Sequence, residues 1–186
     1  MTGALRLFVA VDVPPGHLAR VEALTNELDA ALSGARLVPR GNQHITLKFF
    51  GATAPDRLEA VKEVCATAAA SRRAANVSLS GFGGFPSSRR IRVLWVGIDD
   101  PSHILELLAS ALDRAGNPLG FPVEERAFTP HLTVARFKVP ARFEGPLPRL
   151  SVSDLAPLPV DRLALYHSRL SPKGATYERL ETFALA

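Results

Sequence analysis

The stretch HITLKFF, residues 44–50, decides the fold, because its pattern returns in the second half of the chain. HLTVARF, residues 131–137, again reads histidine, apolar, threonine, apolar, and again ends in phenylalanine. The copies begin 87 positions apart in a chain of 186 residues. Each alternates as a half-buried β-strand does, so the sequence predicts two matched strands, one in each half of the chain.

Alternation along a strand sends successive side chains to opposite faces. His44 and Thr46 are therefore predicted to share a polar face, as are His131 and Thr133, with apolar residues packed behind them. A single His-x-Thr tripeptide is most often an ordinary polar strand face. Two copies in matched strands, in a chain with five histidines, favour a shared functional role instead.

The segments around the two copies alternate between strand and helix patterns. Apolar spacing predicts helices at residues 16–32, 55–71 and 101–115. Strands are predicted at 5–13, 43–51, 75–79, 89–99 and 128–137, with a closing hairpin at 160–171 and 175–185. The glycine-rich GFGGFP, residues 81–86, is predicted to be a loop, and residues 139–159 an irregular connection with a short edge strand. This order predicts an α+β fold with a largely antiparallel sheet and outer helices.

Composition limits the possible functions. The single cysteine, Cys65, excludes an intrachain disulfide and a multi-cysteine zinc site, and it is consistent with a reducing compartment. The N-terminal apolar run is broken by Pro14 and Pro15, so we interpret it as a strand rather than a signal peptide or membrane span. The net charge is +4, and arginines outnumber lysines by 18 to 4, which permits a phosphate-rich partner without requiring one.

Three kinds of chemistry could use two histidines. A metal site lacks nearby carboxylate or cysteine ligands in suitable spacing, and two imidazoles alone rarely hold zinc. Nucleophilic catalysis lacks a nucleophile elbow, and Cys65 falls in a helical pattern. Acid–base catalysis needs two groups that titrate near neutrality, and histidine does so. Cleavage of a ribose 2′,3′-cyclic phosphate uses such a pair without a metal, and threonine or arginine can stabilise the charge on the phosphorus.

These motifs and their flanks resemble the 2H phosphoesterase superfamily, and within it the RNA 2′,3′-cyclic phosphodiesterases first described as 2′-5′ RNA ligases. The segments that carry the resemblance are RLFVAVDVP (6–14), HITLKFFG (44–51), GFGGFPSSRRIRVLWVGI (81–98), PHLTVAR (130–136) and LYHSRLSPKGATYERLETFAL (165–185). The resemblance implies a single domain over residues 1–186, formed by two intertwined, pseudo-symmetric antiparallel lobes. It also implies a central cleft in which the two histidines face each other.

The resemblance implies roles for individual residues. His44 and His131 would be the catalytic acid–base pair, and Thr46 and Thr133 would bind phosphate oxygens. Arg136 would contact phosphate or substrate, and Phe49 would stack on the terminal base. Strict alternation puts these last two on the face opposite the histidines, so a bulge or a strand end is needed to bring them into the cleft. Core packing is the alternative for Phe49.

Lys48, which strict alternation places on the histidine face, is expected to point to solvent or to contact backbone phosphate. We expect no cofactor and no metal, RNA ends or cyclic nucleotides as substrates, no membrane partner, a monomer, and a cytoplasmic location. The expected reaction is hydrolysis of the cyclic phosphate to a 2′-phosphate, with His131 as base and His44 as acid, or the reverse. The alternatives are a 2′-5′ RNA ligase or 2′-5′ phosphodiesterase, and a non-catalytic RNA-binding module.

Overall fold

The computed structural model describes residues 3–28, 32–142, 147, 155–172 and 174–186. Three helices are described: α1 (Pro15–Asn26), α2 (Leu58–Ala70) and α3 (Ile104–Gly116). The strands of the first half are β1 (Leu5–Asp12), β2 (Ala35–Leu37), β3 (His44–Thr53) and β4 (Ala75–Ser87). The later strands are β5 (Arg90–Asp99), β6 (His131–Ala141), β7 (Leu158–Val160), β8 (Arg162–Ser171) and β9 (Gly174–Ala184). Single turns of 3₁₀ helix occur at Arg40–Asn42, Pro55–Arg57 and Asn117–Leu119.

The strands form one antiparallel sheet in the order β7-β4-β5-β6-β3-β1-β8-β9, with β2 paired to β6. The central pair, β6 and β3, are the two motif strands, and three further strands continue the sheet on each side of them. On one side the order is β3-β1-β8-β9, and on the other it is β6-β5-β4-β7. The α+β class, the antiparallel sheet and the arrangement in two matched halves are therefore confirmed.

The core lies between one face of the sheet and the helices. Helix α3 buries Leu105, Leu108 and Leu112, and α2 buries Val61 and Cys65. Burial also raises the pKa of the Cys65 thiol, so the sulfur stays protonated and behaves as a small apolar side chain. No helix in the described ranges is both long and apolar enough to span a membrane.

The glycine-rich segment differs from its prediction. GFGGFP does not form a loop, because β4 continues through it to Ser87, paired with β5. A Cβ at Gly83 would overlap the indole of Trp95, and one at Gly84 would lie 2.5 Å from Ile91 Cγ1. The glycines therefore make room for large side chains of the neighbouring strand.

The long connection before β7 agrees with its prediction only in part, because β6 continues through residues 139–141. β7 is the expected short edge strand, because it forms the end of the sheet beside β4. Residues 143–146 and 148–154 of the connection lie outside the described residues.

Candidate active site

The two motifs meet at the centre of the sheet. β3 and β6 run antiparallel and pair at Ile45 and Leu132. One residue to either side of this pair, antiparallel geometry places His44 beside Thr133 and Thr46 beside His131. Ile45 and Leu132 are fully buried, whereas the four polar residues are half-buried on the opposite face. The structure therefore brings both His-x-Thr pairs onto one surface.

A β-bulge in each motif settles where Phe49 and Arg136 lie. In β3, Ala10 pairs with Thr46 and Val9 with Lys48, so Leu47 is an extra residue. In β6, Trp95 pairs with Thr133 and Leu94 with Ala135, so Val134 is the extra residue. Each bulge puts two buried residues in succession and reverses the alternation after them. Phe49 and Arg136, each five residues after its histidine, consequently lie on the histidine face.

Lys48 does not occupy the histidine face, so that prediction is wrong. The bulge turns its side chain inward, where it is 6% exposed. Its Nζ donates to Asp113 Oδ1 on α3 and to the Pro122 carbonyl at 2.7 Å. Lys48 therefore joins the motif strand to α3 and to the segment that follows it, and it does not contact solvent or phosphate.

Each histidine is oriented by a carbonyl two residues before it. His131 Nδ1 lies 2.7 Å from the Thr129 carbonyl oxygen, which can only accept, so Nδ1 carries the proton. His44 makes a hydrogen bond to the Asn42 backbone that favours the protonated ring, which again identifies a carbonyl acceptor. In His131 this leaves Nε2, and in His44 the nitrogen that does not meet Asn42, to exchange a proton with a bound group.

Burial controls the protonation of both rings. Desolvation lowers the pKa of His44 to about 4, although Asp12 and the hydrogen bond to Asn42 act in the opposite direction. Desolvation also lowers the pKa of His131, opposed by its bond to Thr129, and the nearby Arg136 charge lowers both values. Both histidines are thus neutral at pH 7, and a bound anion would favour protonation of either.

The two rings have different aromatic neighbours. His44 stacks on Phe8 with ring centroids 4.8 Å apart, and Tyr177 meets it edge-on at 5.2 Å. Tyr166 joins the same cluster, stacked on Phe8 at 5.2 Å and on His44 at 6.1 Å. His131 instead meets Phe85 edge-on at 5.0 Å. His44 is the more enclosed of the pair, which agrees with its larger desolvation.

A cavity adjoins each histidine. The larger, about 1080 Å³, is lined by His131, Thr46 and Phe49, and by the segment 122–129. The smaller, about 480 Å³, adjoins His44 and is lined by Asp12, Tyr166, Tyr177 and Arg179. Phe49 is 68% exposed at the wall of the larger cavity, so its ring is available for stacking and is not part of the core. Among the described residues, no group of three His, Cys, Asp or Glu side chains is arranged to hold a metal ion.

The buried neutral histidines predict a loss of stability in acid. His44 has a pKa of about 4 when folded and about 6.5 when unfolded, so the unfolded chain binds more protons between these values. The contribution of neutral His44 to the free energy of unfolding is fully present above about pH 6.5. It is lost as the pH falls through about 4. We expect His44 to contribute about 2–3 kcal/mol to the difference in unfolding free energy between pH 7 and pH 4.5.

Urea denaturation at both pH values measures this contribution. His44→Gln is expected to show a smaller difference between pH 7 and pH 4.5 than the wild type. His103→Asn, a change at an exposed histidine at the start of α3, is the matched control and should keep the wild-type difference. An unchanged difference in His44→Gln would contradict the burial of a neutral imidazole at this position.

Sequence comparison assigns the family. A family model described as the 2′-5′ RNA ligase superfamily matches residues 13–171, which include both motif strands. The chain belongs to the 2′-5′ RNA ligase superfamily. It is 33% identical to the RNA 2′,3′-cyclic phosphodiesterase of Methanothermobacter thermautotrophicus, over 97% of this chain and 99% of that protein. The protein of the same description from Thermus thermophilus is 32% identical over 97% of this chain and 90% of its own length.

Solved structures of the superfamily show the same fold. TT0787 of Thermus thermophilus superposes with a TM-score of 0.81 at 31% identity and covers 97% of both chains. Escherichia coli LigT in its apo form gives a TM-score of 0.77 at 24% identity, with 99% of both chains covered. The two-lobed arrangement implied by the sequence resemblance is therefore the fold of this superfamily.

Several residues of the cleft were not found from the sequence. Asp12, Tyr166, Tyr177 and Arg179 lie on β1, β8 and β9 and together form the wall beside His44. All four lie within segments that carry the family resemblance, but nothing in their local pattern distinguished them from ordinary strand residues. Their proximity to His44 arises from the pairing of β1 with both β3 and β8.

Proposed function

We propose that this protein is a metal-independent RNA 2′,3′-cyclic phosphodiesterase that opens cyclic phosphate ends to 2′-phosphates. The observation that supports it most strongly is the convergence of His44, Thr46, His131 and Thr133 on one face of the paired motif strands. The superfamily membership and the relatives described as RNA 2′,3′-cyclic phosphodiesterases support the same substrate class.

The reaction needs one proton removed and one proton supplied. Water attacks phosphorus and gives a proton to one histidine, while the bond from phosphorus to O3′ breaks and O3′ takes a proton from the other. The product is a 2′-phosphomonoester with a free 3′-hydroxyl. In this proposal the Thr46 and Thr133 hydroxyls donate to the phosphoryl oxygens, and the Arg136 charge stabilises the negative charge that develops there.

A short RNA ending in a 2′,3′-cyclic phosphate, incubated with the protein in EDTA, tests this function. Conversion to a 2′-phosphate end at an undiminished rate is the expected result. Loss of activity in EDTA would contradict the metal-free mechanism, and a 3′-phosphate product would contradict the assigned leaving group. Absence of any turnover would contradict the function itself.

Phe49 and Arg136 are proposed to hold different parts of the substrate. Stacking of a base on an aromatic ring contributes about 1–3 kcal/mol, so Phe49→Ala should raise KM for the RNA end roughly 5- to 150-fold. A methyl riboside 2′,3′-cyclic phosphate, which has no base, should be hydrolysed equally well by Phe49→Ala and the wild type. Arg136→Ala should impair both substrates, because it acts on the phosphate.

Steady-state kinetics on the two substrates separate these roles. If Phe49→Ala impaired the base-free substrate as much as the RNA end, Phe49 would not be a base platform. If Arg136→Ala left the base-free substrate unaffected, Arg136 would not be a phosphate contact.

The cavity beside His44 favours a second candidate activity, that of a 2′-5′ RNA ligase or 2′-5′ phosphodiesterase. With about 480 Å³, this cavity has room for a nucleoside whose 5′-hydroxyl replaces the attacking water. Addition of a 5′-hydroxyl RNA to the cyclic phosphate substrate tests it. A product with a 2′-5′ linkage would establish this activity, and hydrolysis alone would exclude it.

We further propose that the protein acts as a monomer in the cytoplasm. All the residues of the proposed site come from a single chain, which supports the monomer. The buried, protonated Cys65 is consistent with a reducing compartment. Sedimentation of the purified protein and fractionation of its native cells test these two statements.

A further inference from the structure

Lys48 holds the beginning of the segment that forms one wall of the larger cavity. Residues 122–129, all within the described part of the chain, form neither helix nor strand, and every one of them lines that cavity. The Lys48 ammonium, paired with Asp113, donates to the Pro122 carbonyl at 2.7 Å. Because a proline ring fixes φ, a bond that holds the Pro122 carbonyl also sets the direction in which the chain continues.

The residue before this contact fixes the place where the segment begins. Phe121 is buried, its ring meets Phe50 edge-on with centroids 4.9 Å apart, and the Arg57 guanidinium lies over it at 4.4 Å. Two residues after Phe121, the side chain of Val123 is 49% exposed. The bond from Lys48 to Pro122 therefore lies at the point where the chain leaves the core and becomes the cavity wall.

The other end of the segment is held separately. Phe128 packs against the core, and the Thr129 carbonyl accepts the hydrogen bond from His131 Nδ1. Between the two ends, residues 123–127 are exposed. Loss of the Lys48 bond should therefore release the half of the segment next to Pro122 and leave the orientation of His131 unchanged.

Lys48 directly precedes Phe49, the ring proposed to stack on the terminal base. The two side chains leave β3 on opposite faces, since Lys48 is 6% exposed and Phe49 is 68% exposed. Phe49 and residues 122–129 line the same cavity. Two consecutive residues of β3 thus provide one wall of the proposed base site directly and fix the beginning of another wall.

We propose that Lys48 is a positioning residue for the base, because its bond to the Pro122 carbonyl holds residues 122–126 against a base stacked on Phe49. Asp113 balances the charge of the ammonium, and the bond to Pro122 sets the position of the wall. The bond therefore contributes to binding of the RNA end and does not affect the proton transfers. This inference rests on the proposed hydrolysis of RNA ends and adds the residue that shapes the base site.

Two variants separate this role from a purely structural one. Lys48→Met with Asp113→Leu removes the bond to Pro122 together with both buried charges, so the fold should be kept. It should raise KM for the cyclic phosphate RNA about 5- to 10-fold, the equivalent of one hydrogen bond, and leave kcat unchanged. Asp113→Asn is the matched control. It destabilises the fold, but Lys48 keeps the Pro122 carbonyl, so KM should stay at the wild-type value.

The base-free methyl riboside 2′,3′-cyclic phosphate provides the second comparison. Both variants should hydrolyse it with wild-type KM and kcat, because it has no base to meet the segment. Equal impairment of the two substrates in Lys48→Met with Asp113→Leu would overturn the proposal, and so would an equal rise of KM in Asp113→Asn. If Asp113→Asn fails to fold, the double variant on the two substrates decides the question, with Lys62→Met as the surface-lysine control that should keep wild-type constants.

Binding without turnover distinguishes this inference from the proposed function. Calorimetric titration uses adenosine 2′-monophosphate and methyl riboside 2′-phosphate as probes. Lys48→Met with Asp113→Leu should bind the nucleotide about 5- to 10-fold more weakly than the wild type and the base-free phosphate equally well. Unchanged affinity for the nucleotide would overturn the inference even in an active enzyme, as would a wild type that binds both probes equally. If the wild type hydrolysed nothing, the proposed function would fail, while the titration would still decide the role of Lys48.

Discussion

Replacement of either His44 or His131 by alanine is expected to lower kcat for the cyclic phosphate RNA by about 10²–10⁴-fold, since each removes one proton transfer. Both rings are oriented by backbone carbonyls and lie on the face where the motif strands meet. KM should change far less, because the threonines and Arg136 that we propose to bind the phosphate remain in place. The double variant should lose less than the product of the two single losses, since both groups serve one reaction.

The histidine variants also separate catalysis from binding alone. An RNA-binding module without turnover would keep its affinity in both variants and would have no activity to lose. His103→Asn, at an exposed position at the start of α3, is the control for a histidine outside the cleft and should retain wild-type kcat. Thermal unfolding of each variant checks that the fold is kept. Wild-type turnover in either His44→Ala or His131→Ala would contradict the two-histidine mechanism.

The central strands were predictable because the pattern that defines each of them lies within a few neighbouring residues. The alternation of HITLKFF and HLTVARF defines both strands and the shared polar face of each histidine and threonine. The helices were also predictable, although α1 ends at Asn26, earlier than the predicted residue 32. These features depend on periodicity within about ten residues, which is what a sequence pattern records.

The bulges were only partly predictable. The sequence indicated that a bulge or a strand end was needed, because strict alternation placed Phe49 and Arg136 on the face away from the cleft. No residue in either motif identifies the position of the extra residue. Leu47 and Val134 are ordinary apolar strand residues, and their role is set by the register with β1 and β5. The orientation of Lys48 was mispredicted for the same reason, because it depends on long-range contacts. Its burial depends on the Asp113 carboxylate, 65 residues later in the sequence.

The same long-range pairing explains why Asp12 escaped detection. Its pattern is that of a strand end, and its partners are 154 and 167 residues away, on Tyr166 and Arg179. The two halves of the sheet repeat each other, but a repeat in the sequence reveals only what is alike in them. The differences, Asp12 against Gly97 and Phe49 against Arg136, give the two histidines unlike surroundings.

Asp113→Asn is expected to lower the free energy of unfolding by about 3 kcal/mol, the largest loss of stability that we predict for a single polar substitution. The Lys48 ammonium has a side chain that is 5% exposed, and without Asp113 it keeps only the Pro122 carbonyl as a hydrogen-bonded partner in the described structure. An amide can accept a hydrogen bond but does not balance the charge. A buried ion that loses its counter-ion is costly because water cannot replace it.

The double variant Lys48→Met with Asp113→Leu should recover most of this stability. Apolar replacement of a whole buried pair is often neutral or stabilising, since the desolvation cost of both charges disappears. Urea denaturation of the two single variants and the double variant gives the interaction free energy between Lys48 and Asp113. We expect a value of about 1–3 kcal/mol. A loss below about 1 kcal/mol in Asp113→Asn would show that Lys48 is not buried as a charge.

Lys62 on α2 provides the matched control. It also forms ion pairs, with Glu59 at 2.9 Å and Glu181 at 3.2 Å, but at the surface. Lys62→Met should cost far less than Asp113→Asn, because exposed pairs are solvated and screened. The comparison isolates burial as the cause, since both lysines have carboxylate partners. A lysine can follow the bulge in β3 because Asp113 neutralises its charge and the Pro122 carbonyl accepts a hydrogen bond from it. Phe49, the next residue, is then left facing the cleft.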